Sequence, residues 1–209
     1  MNRTCPRRVI LAGVSLTVAI GLGGCGSDHS VGAGHTMPGS PSASAISGES
    51  ATSNAADVMF AQMMIPHHEQ AVEMSDLATT RASDPEVKQL ATQIKDAQAP
   101  EIAQLRGWLT LWGAPMPMAG GDDHGMPEMD HEMPGMMSEA DMAELAAASG
   151  TEFDRKFLTM MIAHHEGAVT MAEEEAAQGA NPDARALAQR IVTTQQAEIV
   201  TMRKILARL

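Results

Sequence analysis

The chain has 209 residues, with 14 basic against 26 acidic side chains, a formal charge of −12, and 44% hydrophobic residues that include 18 Met but only 3 Phe, 2 Trp and 0 Tyr. An acidic chain without a basic run repels phosphate backbones, and the scarcity of aromatics removes base-stacking platforms, so nucleic-acid binding is excluded. The length suits one or two domains, and a core drawn from Ala, Leu, Ile, Val and Met suits packed helices better than sheets.

Residues 1–24 have the pattern of a bacterial lipoprotein signal peptide. Arg3, Arg7 and Arg8 form a basic start, Val9 to Leu22 an apolar run, and Leu22-Gly23-Gly24-Cys25 resembles a lipobox. The run is short and interrupted by glycine, which disfavours a membrane span. Cleavage before Cys25 would remove Cys5 and make Cys25 the lipidated residue, leaving no thiol for a disulfide or a zinc–thiolate site. The expected location is extracytoplasmic, anchored by lipid to the bacterial cell membrane. Residues 25–53 are rich in Gly, Ser, Ala and Pro without an apolar period and read as a flexible tether.

A shift of 97 residues aligns the segment from Phe60 to Glu69 with that from Phe157 to Glu166. The match runs on without a gap through Met74/Met171, Pro85/Pro182, Ile94/Ile191, Gln98/Gln195 and Glu101/Glu198. Each repeat breaks into two helices where Asp84-Pro85 and Asn181-Pro182 supply an N-cap followed by proline at the first helical position. The patterns predict helices near 56–79, 85–112, 152–178 and 182–207. A further short helix is predicted to start at Ser138, with Asp141 as its capping partner. The organisation expected is a helical hairpin over 54–112, a linker over 113–137 and a second hairpin over 138–209. Joined by one long connection, two such hairpins suggest an all-α, ferritin-like four-helix bundle. The same apolar faces could also pair between chains, so an oligomer is compatible with the sequence.

At about 100° per residue, Phe60, Met63, Met64, His67, Ala71, Met74 and Ala78 share one helix face, and Phe157, Met160, Met161, His164, Ala168 and Met171 share its counterpart. His68 and His165 fall at the flank of that face, while Glu69 and Glu166 point away. Gln98 and Gln195 are central on the second helix of each repeat, with Glu101 and Glu198 one turn on, at the edge. A polar layer of His67, His164, Gln98 and Gln195 in a Met-rich core is therefore expected. It has two explanations: mutual hydrogen bonding that fixes helix register, or metal ligation, since imidazole with thioether suits Cu(I). Pro66 and Pro100 interrupt the first-repeat helices where the second has Ala163 and Ala197, so equivalent copies are not expected.

The linker carries a second set of donors. His124, Met126, Met129, His131, Met133, Met136 and Met137 stand among Pro, Gly and Asp with neither helical nor strand period. The expectation is metal capture outside the core, by Cu(I) at the methionines or by Cu(II) or Zn(II) at the histidines with Asp122 and Asp123.

With Met64-x-x-His67-His68, Met74 and the Gln-x-x-Glu-Ile segments Gln98–Ile102 and Gln195–Ile199, the chain resembles the DUF305 family over 56–110 and 152–207. The resemblance implies a ferritin-like helical bundle, some relatives being extracytoplasmic copper-binding proteins associated with copper resistance. On that basis Met64, His67, His68, Met74, Met161, His164, His165 and Met171 would bind Cu(I), and Gln98, Glu101, Gln195 and Glu198 would orient the imidazoles. The protein would sequester the ion or hand it to a copper-handling partner. Two other classes stay open: a dinuclear metal oxidase, which needs inward-facing Glu and Glu-x-x-His pairs, and a metal-free surface interaction module.

Overall fold

The structure is a computed structural model that describes residues 52–117 and 133–209. The signal peptide with Cys25, nearly all of the tether, and His124, Met126, Met129 and His131 of the linker lie outside the described residues. Five α-helices follow one another: α1 Ala55–Arg81, α2 Pro85–Trp112, α3 Glu139–Ala147, α4 Gly150–Gln178 and α5 Pro182–Arg208. Helices α1 and α2 form one hairpin and α4 and α5 the other.

Local chemistry sets the helix ends. The Asn54 side chain accepts from the Ala56 and Asp57 amides and the Asp57 carboxylate accepts from the Asn54 amide, a capping box that starts α1. Asp84 and Asn181 cap α2 and α5 ahead of Pro85 and Pro182, whose missing N–H costs nothing at a first helical position. Ser138 and Asp141 form the capping box of α3. Both α1 and α2 continue past Pro66 and Pro100. Pro100 is on the exposed face, where water can serve the carbonyl it leaves without an intrahelical donor.

The hairpins meet through α1 and α4, which run antiparallel: Asn54 Nδ2 donates to Gln178 O at 2.8 Å, while the His67 and His164 rings touch midway. On one side of that midpoint Phe60, Met64, Leu105, Leu109, Met171 and Ile191 pack together. On the other, Met74, Ile94, Phe157, Met161, Met202 and the Leu145 side chain of α3 do the same. Fully burying a Leu, Ile, Phe or Met side chain contributes roughly 1.5–3 kcal/mol, so these two clusters carry the fold. The all-α four-helix architecture matches the expectation from sequence, with α3 added over one end.

Two buried carboxylates lock the hairpins to each other. Asp154, on α4, accepts from the amides of Ser83 and Asp84 and from the Ser83 hydroxyl, in the α1–α2 turn. Its repeat equivalent, Asp57 on α1, accepts from the amides of Ala180 and Asn181 in the α4–α5 turn. Burial alone would raise the Asp57 pKa, but the amides of Asn54, Asn181 and Ala180 and contact with Glu175 hold it below the ordinary carboxylate value.

Candidate metal centre

His67 and His164 sit between the two apolar clusters, 0% and 1% exposed, with ring centroids 3.7 Å apart and planes inclined at 40°. Gln98 and Gln195 are buried at the same level of α2 and α5. The anticipated polar layer is thus present in position. Its members do not satisfy one another, however. Among the described residues, His67 Nδ1, both ring nitrogens of His164, both amide atoms of Gln98 and Gln195 Oε1 have no hydrogen-bond partner. Each such buried polar group costs about 1–3 kcal/mol, and a layer built only to fix register would pair them. The orphaned nitrogens are the feature a metal ion would relieve.

Burial, reinforced by His68, pushes the His67 pKa down to about 3, although a contact with a backbone carbonyl opposes the shift. Burial and the facing His67 ring hold His164 well below the usual imidazole value. Both rings are therefore neutral at physiological pH and keep a lone pair available for ligation.

His68 and His165 were expected at the flank of the helix face, but both are fully buried. The reason is that α1 and α4 each pack against two neighbours, which widens the covered arc. The second ring of each pair is held by a carboxylate: His68 Nε2 donates to Glu101 Oε2 at 2.8 Å and His165 Nε2 to Glu198 Oε2 at 2.7 Å. That leaves Nδ1 of both rings unpaired. Imidazole–carboxylate pairing of this kind fixes tautomer and ring orientation around metal ions. Neither Gln98 amide atom hydrogen-bonds an imidazole, in contrast to the orienting role expected for it.

The eight Met and His residues of the two motifs do not converge on one point. Met64 and Met74 are ten residues apart on α1, or ~15 Å along the axis. Met64 instead shares a cluster with Met171, and Met74 with Met161. The methionines nearest the His67/His164 pair in sequence, Met64 and Met161, each lie one turn earlier on the same face and are fully buried. Glu69 and Glu166 are exposed and pair with Arg106 and Arg203. Among the described residues no group of three or more His, Cys, Asp and Glu side chains is placed to hold a metal. Glu101 and Glu198 are the carboxylates that approach this layer, each paired with an imidazole.

The end of the linker departs from expectation. Met133, Met136 and Met137 are partly buried, and Met137 packs against the apolar cluster that contains Leu145. Met136 N donates to Met133 O at 3.1 Å across Pro134-Gly135, with Gly135 at φ 79°, the geometry of a type II turn. This turn lies directly on the histidine pair: Pro134 O is 3.1 Å from His67 Nε2. Gln70 clamps it, donating to Met137 O and accepting from Met137 N, both at 2.8 Å. On the other side Gly167 admits the backbone, since a Cβ there would fall 1.9 Å from Pro134 O. Gln70 and Gly167 are repeat equivalents, so one copy grips the turn and the other makes room for it. A sequence signal existed: Met137 and Met142 flank the Ser138 capping box at the positions of a hydrophobic staple, and both pack on the same cluster.

The family model described as a domain of unknown function, DUF305, matches residues 57–206. The chain belongs to the DUF305 family. A DUF305 crystal structure from Streptomyces coelicolor, designated a candidate secreted protein, is 37% identical, with a TM-score of 0.65 over 73% of this chain and 93% of that one. A DUF305 fragment from Deinococcus radiodurans is 34% identical, with a TM-score of 0.65 over 75% and 99% of the two chains. CopM in its Cu(II)-bound form is 34% identical, with a TM-score of 0.61 over 73% and 96%; CopM was also solved bound to Cu(I) and to Ag. A 53-residue stretch is 42% identical to the uncharacterised protein L153 of Acanthamoeba polyphaga mimivirus, and the chain spans about a third, 35%, of that relative's length.

Proposed function

We propose that this DUF305 protein is an extracytoplasmic, lipid-anchored copper-binding protein that sequesters Cu(I) or passes it to a copper-handling partner. The observation that carries this reading is the buried His67/His164 pair, two neutral imidazoles in ring contact whose nitrogens are largely unpaired. Met64 and Met161, one turn away on the same faces, add thioethers. Neutral nitrogen and sulfur donors favour a soft monovalent ion over Zn(II). Likeness to CopM, solved with Cu(I), Cu(II) and Ag, supports the same ion class. Glu101 and Glu198 would fix the tautomer of His68 and His165, whose unpaired Nδ1 atoms would serve as further ligands.

In this reading the Met133–Met137 turn closes the centre, and the linker donors upstream, His124, Met126, Met129 and His131, would deliver ions to it. Anchoring rests on the Cys25 lipobox pattern and an outside location on the signal pattern, in keeping with the secreted designation of the Streptomyces relative.

His164→Gln tests the centre, because it retains hydrogen-bonding capacity and removes the imidazole. Cu(I) should raise the melting temperature of the wild type, since a ion that binds only the folded state stabilises it by mass action. That rise should fall clearly in the variant. A stable variant that keeps the wild-type Cu(I) response would overturn the histidine centre.

A further inference from the structure

A cavity of about 230 Å³ opens between α1 and α4 at the end where Asn54 meets Gln178, away from the histidine centre. Its lining includes two pairs of side chains, each pair one helical turn apart, Met59 and Met63 from α1 and Met171 and Glu175 from α4, together with Glu174 and Gln178. Met59 stands 49% exposed at its mouth, Met63 is half-buried and Met171 is buried. Glu175 is 2% exposed, and neither of its carboxyl oxygens accepts a hydrogen bond from the described residues.

The polar group facing Glu175 is Asp57, which is already saturated by the amides of Asn54, Ala180 and Asn181. Burial, and then the neighbouring Asp57, raise the Glu175 pKa to about 8 against the opposing charge of Arg185, so near neutral pH the acid keeps its proton. Gly179 keeps space for the carboxyl, since a Cβ there would lie 2.2 Å from Glu175 Oε1. A carboxyl buried in this way beside three thioethers is costly, and no helix-capping role accounts for it.

The pseudo-equivalent end of the bundle provides an internal control. A shift of 97 residues replaces the four side chains by Lys156, Met160, Met74 and Ala78. Two methionines persist, but the third is a lysine and the acid is an alanine. Helix α3 also covers that end: Leu145 joins the cluster of Met74, Phe153 and Phe157, and Lys156 pairs with Glu144 at 3.0 Å. One end is therefore closed and carries a cation, while the other is open and has gained both a thioether and an acid.

We propose that Met59, Met63, Met171 and Glu175 form a second site for a soft monovalent cation, Cu(I) or Ag(I), distinct from the histidine centre. Three thioethers supply neutral soft donors. The entering ion displaces the Glu175 proton to solvent, so the carboxylate replaces one unit of positive charge by another without a redox step. Hard divalent ions, which need six or more oxygens, find only the Glu174 and Glu175 carboxyls and the Gln178 amide in the lining.

Isothermal titration of the full chain with Ag(I) tests the site in two backgrounds, wild type and His67→Gln/His164→Gln. Met59→Leu/Met63→Leu should remove one equivalent of Ag(I) in both, with an unchanged unfolding midpoint because Leu fills the same space. Glu175→Gln should weaken that equivalent at least tenfold. Retention of the full Ag(I) stoichiometry by the double leucine variant would overturn the site. Failure of the histidine reading alone gives a different result: the histidine background would then keep every equivalent that wild type binds, including the one sensitive to Met59 and Met63.

Discussion

The two hairpins share almost all of their polar architecture and differ where the linker touches them. His68–Glu101 repeats as His165–Glu198, Glu69–Arg106 as Glu166–Arg203, and the buried Asp57 as Asp154. Against that background, Gln70 is replaced by Gly167, Met59 by Lys156 and Ala78 by Glu175 under the 97-residue shift. The shared set maintains the fold and presents imidazoles at the midpoint. The unshared set decides what covers each part of the α1–α4 interface. Duplication therefore gave a symmetric scaffold, and a few substitutions gave it one closed side over the histidines and one open end.

The largest effect is expected from breaking a feature common to both halves. Asp154→Ala removes the acceptor for two amides and a hydroxyl in the opposite hairpin. Orphaning them in a buried site should cost about 3–5 kcal/mol, read as a lower midpoint in urea unfolding. A cost below about 1 kcal/mol would show that the two hairpins are held together without this carboxylate.

Next come the two unlike residues that hold the linker turn. Gly167→Ala would favour the helix by up to about 1 kcal/mol on propensity, yet its Cβ collides with Pro134 O. The expected result is a displaced turn, faster Ag(I) exchange at the histidine centre and a net loss of stability of about 1–2 kcal/mol. Gln70→Ala, which loses two hydrogen bonds to Met137, should cost about 1–2 kcal/mol. Because both act on one turn, the double variant should cost less than the sum. Strict additivity would mean that Gln70 and Gly167 serve separate structures.

Legibility from sequence followed the same division. Helix ends were readable because Asp84-Pro85, Asn181-Pro182 and the Ser138/Asp141 box act within one turn, and the positions of His67 and His164 followed from helical period. Asp57 and Asp154 escaped notice because their partners, around residues 180 and 83, are far away in sequence; their equivalence under the 97-residue shift was the available signal. Glu175 lacked even that, since its counterpart is Ala78. The docking of the linker end on the core is not legible, because a type II turn of Pro134-Gly135 has no period and Met137 is held by a glutamine 67 residues earlier. Spatial grouping is not legible in the motif for a geometric reason: Met64 and Met74 belong to one motif but to opposite sides of the histidine pair.

The smallest effect concerns the two helix caps and is confined to acid. Asp84 caps α2 and is held by Arg208, whereas its repeat equivalent Asn181 caps α5 without a charge. The hydrogen bonds from Arg208, followed by those from the Glu86 and Val87 amides, outweigh burial and lower the Asp84 pKa from 3.8 to about 2. A depressed carboxylate pKa contributes stability that is present above the unfolded value and is lost as pH falls through the folded one. The α2 cap should therefore weaken between about pH 4 and pH 2, and the α5 cap should not. Asp84→Asn converts one cap into the other. Asn and Asp are nearly equal N-caps and the Arg208 side of the ion pair is 44% exposed, so the midpoint at neutral pH should move little. Below pH 4 the variant should lose less stability than wild type, measured as the slope of urea midpoint against pH. Parallel slopes would show that the Asp84–Arg208 pair contributes nothing to acid sensitivity and that the two caps, unlike in charge, are alike in energy.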